Sequence, residues 1–73
     1  MSKWGKINIK LDTYIKKNNI SRSKLSRDAE LQYSQLLTYC NNEVQSISFD
    51  VMCRICTALN CKISDIIEFI PSK

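Results

Sequence analysis

Between Leu25 and Tyr39 the chain places apolar and small residues where two short helices joined by a tight turn need them, and no other feature constrains the fold as much. Leu25 and Ala29 fall one turn apart on a first helix, Leu31 supplies an apolar plug for the turn, and Leu36 and Tyr39 fall on the inner face of a second helix. Ala29 matters most. Helices that cross steeply bring their backbones close together, and a larger side chain at the crossing would hold them apart. Once the inner face is set, Gln32, Tyr33, Ser34, Gln35 and Thr38 must point outward from the beginning of the second helix. This is a helix-turn-helix pattern, and the start of its second helix is the part that enters a DNA major groove.

The rest of the chain reads as short helices with brief connections, without repeats or low-complexity tracts. The expected fold is all-α: a compact five-helix domain over residues 9–71, preceded by a basic tail at residues 1–8. Within the tail, the alternation of Ile7, Ile9 and Leu11 allows a short extended piece. Helix one is expected at about 9–18, with Leu11 and Ile15 one turn apart and Asn18-Asn19 breaking the pattern. Ser21 offers an N-cap for helix two, 22–29. Helix three runs from about Tyr33 to Cys40 and ends at Asn41-Asn42. Ser48 caps helix four, 49–59, with Asp50 in the first turn, where the helix dipole favours a negative charge. Ser64 caps helix five, about 65–69, which carries Ile66, Ile67 and Ile70 into the core before Pro71 stops it.

Composition argues for a binding module and against an enzyme. A chain of 73 residues builds one modest core and hardly a deep, walled active site as well. It has no His, and its only Gly is Gly5, so neither a His-based catalytic constellation nor a Gly-rich phosphate loop is available. The formal charge of +4 is unevenly distributed. Up to Arg27 there are eight basic residues against one acid, Asp12; beyond it there are three against six. A basic half suits phosphate, although an excess of Lys is also ordinary solvated surface. No run is apolar for long enough to cross a bilayer, and the N-terminus lacks the apolar run of a signal peptide, so a soluble cytoplasmic protein is expected.

In that reducing compartment Cys40, Cys53, Cys56 and Cys61 are expected as free thiols. Cys53-x-x-Cys56 has the spacing of a zinc knuckle or a dithiol redox site, and a zinc reading would add Cys40 and Cys61 as ligands. The context favours core packing. From Phe49 to Asn60 there is no Gly or Pro, and Met52, Ile55, Cys56 and Leu59 share one helical stripe while Cys53 falls off it. Neither a metal nor a cofactor is expected.

Taken together, these residues resemble the phage repressor/Cro-type helix-turn-helix family, in particular small bacterial, phage and mobile-element transcriptional regulators. The run Ile47-Ser48-Phe49-Asp50-Val51-Met52-Cys53-Arg54-Ile55-Cys56-Thr57-Ala58-Leu59-Asn60-Cys61 looks like the helix-four signature of that branch, and Ile63-Ser64-Asp65-Ile66-Ile67-Glu68-Phe69-Ile70-Pro71 resembles its last helix. The similarity covers about residues 7–71 and implies an all-helical DNA-binding regulator. The chain departs from the family pattern in three places. Glu30 stands in the turn where many members have Gly, at a cost of roughly 1 kcal/mol if its backbone is left-handed. Gln32 replaces the usual Ser or Thr cap of helix three, and Leu37 is apolar at a position that is often polar.

The expected partner is double-stranded DNA. Gln35 offers a donor and an acceptor together, as adenine N6 and N7 require, and Tyr33 can pack on a sugar or thymine methyl or simply cover the nearby core. Gln32, Ser34 and Thr38 reach bases or phosphates. Arg22, Ser23 and Lys24 at the start of helix two, and Asn41 and Asn42 at the end of helix three, are the candidate phosphate contacts, a turn-forming role being equally open for Asn42. One such motif reads only a few base pairs, so a weak homodimer, or dimerisation on DNA, is expected. The competing reading is a protein-interaction module that uses Tyr33, Leu37 and the surroundings of Tyr39. The role of Trp4 is open between covering the core edge and forming an interface.

Overall fold

The computed structural model describes residues 3–72; Met1 and Ser2 of the segment read as a tail lie outside them. A strand β1 (Lys6–Ile9) leads into helices α1 (Leu11–Lys17), α2 (Arg22–Asp28), α3 (Tyr33–Cys40) and α4 (Phe49–Leu59), then a 3-10 turn (Ile63–Asp65) and a strand β2 (Ile67–Ile70). Helices two, three and four lie where sequence spacing puts them. Ser21 Oγ accepts from Lys24 N at 3.0 Å, and Ser48 Oγ accepts from Val51 N at 3.3 Å, so both expected hydroxyl caps form. Gln32 makes no such bond at the head of α3. One core joins these elements: Leu11, Ile15, Leu25, Leu36, Ile55 and Ile66 are its largest fully buried side chains, with Ala29, Tyr39, Val51 and Met52 around them.

All four α-helices end alike. Just past each helix an N–H turns back over six residues, from Ile20 to Ile15 (2.8 Å), Leu31 to Ser26 (2.9 Å), Glu43 to Thr38 (2.9 Å) and Cys61 to Cys56 (3.1 Å). The residue before each donor is left-handed: Asn19, Glu30, Asn42 and Asn60 have φ of 58°, 56°, 60° and 53°. Closing a helix this way satisfies its last carbonyls and requires positive φ, which Gly adopts freely and Asn tolerates. Glu30 is the one position of the four where neither residue stands.

The fifth helix does not form, and the fold is not all-α. Its segment becomes the 3-10 turn and β2, which pairs antiparallel with β1: Lys6 opposite Ile70, Ile7 opposite Phe69, Asn8 opposite Glu68 and Ile9 opposite Ile67. A five-residue helix makes a single turn and gains little against its nucleation cost, whereas β-branched Ile and aromatic Phe suit a strand once a partner is present. Lys10 N donates to Ile66 O at 2.7 Å and extends the ladder towards the core. Ile66 is fully buried as expected, but Ile67 is half-buried and Ile70 exposed. Ser64 falls inside the 3-10 turn; its expected cap role passes to Asp65, whose Oδ2 accepts from Lys62 N at 3.0 Å. Because Ile9 belongs to β1, α1 begins two residues later than its spacing suggests, and Lys6–Asn8 are part of the sheet. Gly5 lies beneath Phe69: a Cβ there would overlap the Ile70 carbonyl and the Phe69 ring.

Candidate nucleic-acid interface

The turn between α2 and α3 sets the angle at which α3 is presented. Ala29 is only 3% exposed, so the small side chain does sit at the close crossing. Leu31 is half-buried against the core as the expected plug. The Arg54 guanidinium, projecting from α4, donates through Nη1 to the Glu30 carbonyl at 2.9 Å while its Nε pairs with Asp50 at 3.0 Å. A cation on α4 thus holds the exposed carbonyl of the strained turn residue. The Asp50–Arg54 spacing of one turn is visible in the sequence; the contact with Glu30 is not, because it depends on α4 packing against α2.

α3 itself is anchored at its middle and its end. Leu36 is fully buried, and the Tyr39 hydroxyl accepts from Ser48 N at 3.3 Å, tying α3 to the start of α4. Asn42 Oδ1 accepts from Ile9 N at 3.1 Å and Asn42 Nδ2 donates to Asn8 Oδ1 at 2.9 Å, so the side chain just past α3 is bonded to β1. Of the two roles open to Asn42, the structure displays the turn-forming one. Asn41 is exposed at the helix cap.

The outward face of α3 brings most of the candidate base-reading residues together. Gln32, Tyr33, Ser34 and Gln35 are all exposed. Among the described residues, the side chains of Gln32, Ser34 and Gln35 make no hydrogen bond within the protein, so their polar groups are available to a ligand. Thr38 is half-buried, and its Oγ1 donates to the Gln35 carbonyl at 2.7 Å. Leu37 is half-buried beside it.

The candidate phosphate contacts at the head of α2 differ from one another. Ser23 and Lys24 are exposed, Lys24 Nζ lying 2.9 Å from Asp28 one turn on. Such an exposed pair is weak and exchanges readily for another anion. Arg22 is engaged more deeply: Nη2 lies 2.8 Å and Nε 3.2 Å from Asp12 Oδ1, clipping α2 to α1, and Lys16 adds a third contact at 3.0 Å. These bonds to Arg22 first, then Lys16, hold the Asp12 carboxyl below its ordinary value of 3.8, and the Asp12 bond in turn raises the Arg22 pKa.

The cysteines do not converge on a metal. Among the described residues, no three His, Cys, Asp or Glu side chains form a group that could hold an ion. Cys40 is buried, Cys56 and Cys61 are half-buried against the core, and Cys53 is exposed. Burial, reinforced by the neighbouring Cys56, pushes the Cys61 thiol up to about 11, and burial also raises Cys40, which keeps both protonated and unreactive at neutral pH.

Two short helices crossing at a small residue, with an apolar plug in the turn and the second helix exposed along its first turn, define a helix-turn-helix domain. The chain belongs to the Cro/C1-type HTH DNA-binding domain family, whose family model matches residues 10–72. No curated protein matches the chain. Family membership makes it a DNA-binding regulator with double-stranded DNA as its partner. No helix among the described residues is long and apolar enough to cross a membrane.

Proposed function

We propose that the protein is a sequence-specific repressor that reads the major groove of its operator with α3. The observation that carries this reading is the unspent hydrogen-bonding capacity of Gln32, Ser34 and Gln35 on the exposed first turn of a helix whose inner face is locked in the core. Gln35 takes the bidentate role towards adenine, Gln32 and Ser34 reach neighbouring base edges or phosphates, and Tyr33 packs on sugar or a thymine methyl. Ser23 and Lys24 at the head of α2 and Asn41 beyond α3 hold the flanking phosphates. Arg22 and Thr38 support this surface from beneath: Arg22 clips α2 to α1 through Asp12, and Thr38 donates to the Gln35 carbonyl. Repression follows from occupancy, since a domain seated in the major groove of an operator excludes other proteins from the same DNA.

Binding of two variants to preferred and random DNA across a salt series tests the assignment, the preferred site coming from selection out of random sequence. Gln35→Ala should cost roughly 1–3 kcal/mol on the preferred site and little on random DNA, so that discrimination falls. Lys24→Ala should weaken both alike and lower the magnitude of the salt slope by about one. If Gln35→Ala leaves discrimination unchanged, α3 is not the reader; if neither variant matters and a salt-insensitive protein complex forms instead, the interaction-module reading replaces this one.

A further inference from the structure

The closure of α4 differs from the other three in the side chains at its two ends. Cys61 N donates to Cys56 O at 3.1 Å and Asn60 N to Thr57 O at 3.2 Å, with Asn60 left-handed between them. Paired bonds of this kind fold the chain so that the side chains at the ends of the closure, here 56 and 61, meet. The same closure ends in Ile15 and Ile20 at α1, Ser26 and Leu31 at α2, and Thr38 and Glu43 at α3. Of the four, only α4 puts two thiols there. Both are half-buried against the core, and it is Cys56, after burial, that holds the Cys61 thiol up. The 3.1 Å bond alone keeps the two Cα atoms within about 7 Å of each other, a span that a disulfide can bridge. Cys53-x-x-Cys56, the spacing that stands out in the sequence, is the poorer pair. Three residues apart on one helix, their Cβ atoms are about 5–6 Å apart, whereas a disulfide holds its Cβ atoms at about 3.5–4.5 Å. Cys40 is buried in α3.

We infer that Cys56 and Cys61 form a redox modification site, closed into an intramolecular disulfide by a small oxidised disulfide such as oxidised glutathione. The Cys56 thiol gives up its proton and its thiolate attacks one sulfur of the reagent; a mixed disulfide forms and one glutathione thiolate leaves. The Cys61 thiolate then attacks the Cys56 sulfur, the mixed bond breaks, and the second glutathione thiolate leaves. The two protons lost by the cysteines end on the two glutathione thiolates, and the two electrons that reduce the reagent come from the protein pair. Burial and the Cys56 beside it keep Cys61 protonated, so Cys61 is inert towards reagents in solution and the first step falls to Cys56. Towards a sulfur fixed against it the second step is intramolecular, and effective concentration makes up what its small ionised fraction loses. The bond joins what the helix end has already brought together, so the folded chain accepts it without rearrangement. It staples the end of α4 to the segment that leads to Ile66 and β2. A cross-link that fits the fold stabilises the fold, and by the same linkage the fold favours the cross-link. Gln32, Ser34 and Gln35 belong to another helix, so the modification changes stability and leaves the exposed face of α3 as it was.

The test equilibrates the full reduced chain with glutathione buffers of graded ratio at neutral pH, traps the remaining free thiols by alkylation, and digests with trypsin for mass spectrometry. Cleavage after Arg54 and Lys62 leaves Cys56 and Cys61 together in peptide 55–62, apart from Cys40 and Cys53. The disulfide therefore appears as an unalkylated peptide 55–62, two hydrogens lighter than the reduced one. Its equilibrium constant against glutathione should be about tenfold or more higher in the native chain than in the same chain in guanidinium chloride. The oxidised chain should keep its helical signal and melt several degrees higher than the reduced chain. Cys53→Ser should leave the constant unchanged, because the exposed thiol has no part in the pair. The comparison of native with denatured wild type holds even if a substitution disturbs the fold. A native constant no higher than the denatured one, a disulfide that joins Cys53 to Cys56 instead, or an oxidised chain that loses helix would each overturn the inference. None of these readouts involves DNA, so failure to bind DNA would count against the proposed function alone.

Discussion

Replacing Glu30 by glycine should stabilise the protein, because Glu30 is held at φ 56° by the turn it closes. A residue with a Cβ carries roughly 1–2 kcal/mol of strain in the left-handed region. Glycine returns about 0.5–1 kcal/mol of that through its greater freedom in the unfolded chain, which leaves a net gain of about 0.5–1 kcal/mol. Nothing else should be lost. The bonds that define the turn, Glu30 N to Arg27 O at 3.1 Å, Leu31 N to Ser26 O at 2.9 Å and Arg54 Nη1 to Glu30 O at 2.9 Å, make no use of the Glu30 side chain. For a domain of this size the melting temperature should rise by roughly 2–8 °C in a thermal melt followed by circular dichroism. Glu30→Ala is the discriminating control, since it removes the same charge and side chain but keeps the strained Cβ. If glycine proves no more stable than alanine, conformational strain at this turn is not what limits the fold.

Three further outcomes follow from the contacts. Arg54→Ala should lower stability by about 0.5–1.5 kcal/mol in denaturant titration, because it strips a charged donor from the Glu30 carbonyl; a midpoint equal to wild type would show that water replaces it fully. Asp12, with its carboxyl held below 3.8 by Arg22 and Lys16, contributes stability that is present above that value and lost as the pH falls through the lowered one. Melting temperatures should therefore drop in acid below about pH 4, and less steeply in Asp12→Asn; parallel curves would remove the clip between α1 and α2 from the acid response. Excess chelator should leave the helical signal intact, and one tightly held zinc per chain with unfolding on its removal would sink the packed-thiol account of Cys40, Cys56 and Cys61.

Helices two to four were legible because their signals are local: hydroxyl caps at Ser21 and Ser48, apolar residues one turn apart, and Asn at three of the four left-handed closures. The same reading failed at residues 65–69 because the deciding partner is nearly 60 residues away. Ile66, Ile67 and Ile70 fit a helical stripe as well as a strand, and only β1 tips the balance. Ile7 and Ile9 carried the complementary signal, an alternation readable as an extended piece, but alternation on one side of a pair does not say with what it will pair. In the site, exposure of Gln32 to Gln35 followed from the inner face of α3. The commitments of Arg22 to Asp12, Arg54 to Glu30 and Asn42 to β1 did not, since each joins elements that meet only after packing.

Those long-range commitments divide the polar residues near α3 into two groups. Arg22, Arg54, Thr38 and Asn42 spend their hydrogen bonds inside the fold: Arg22 at the head of α2, Arg54 at the turn that follows α2, Thr38 within α3 and Asn42 just past its end. Gln32, Ser34 and Gln35 spend none, and they sit where the helix is held most firmly from below, with Leu36 fully buried in the following position. A reader of base edges needs that combination, since a directional contact discriminates only if its donor cannot follow a wrong base. Asn42 extends the argument beyond the helix. By bonding both Ile9 N and Asn8, it couples the end of α3 to β1 and, through the ladder, to β2. The orientation of α3 is thus tied to the two-stranded sheet as well as to the helical core.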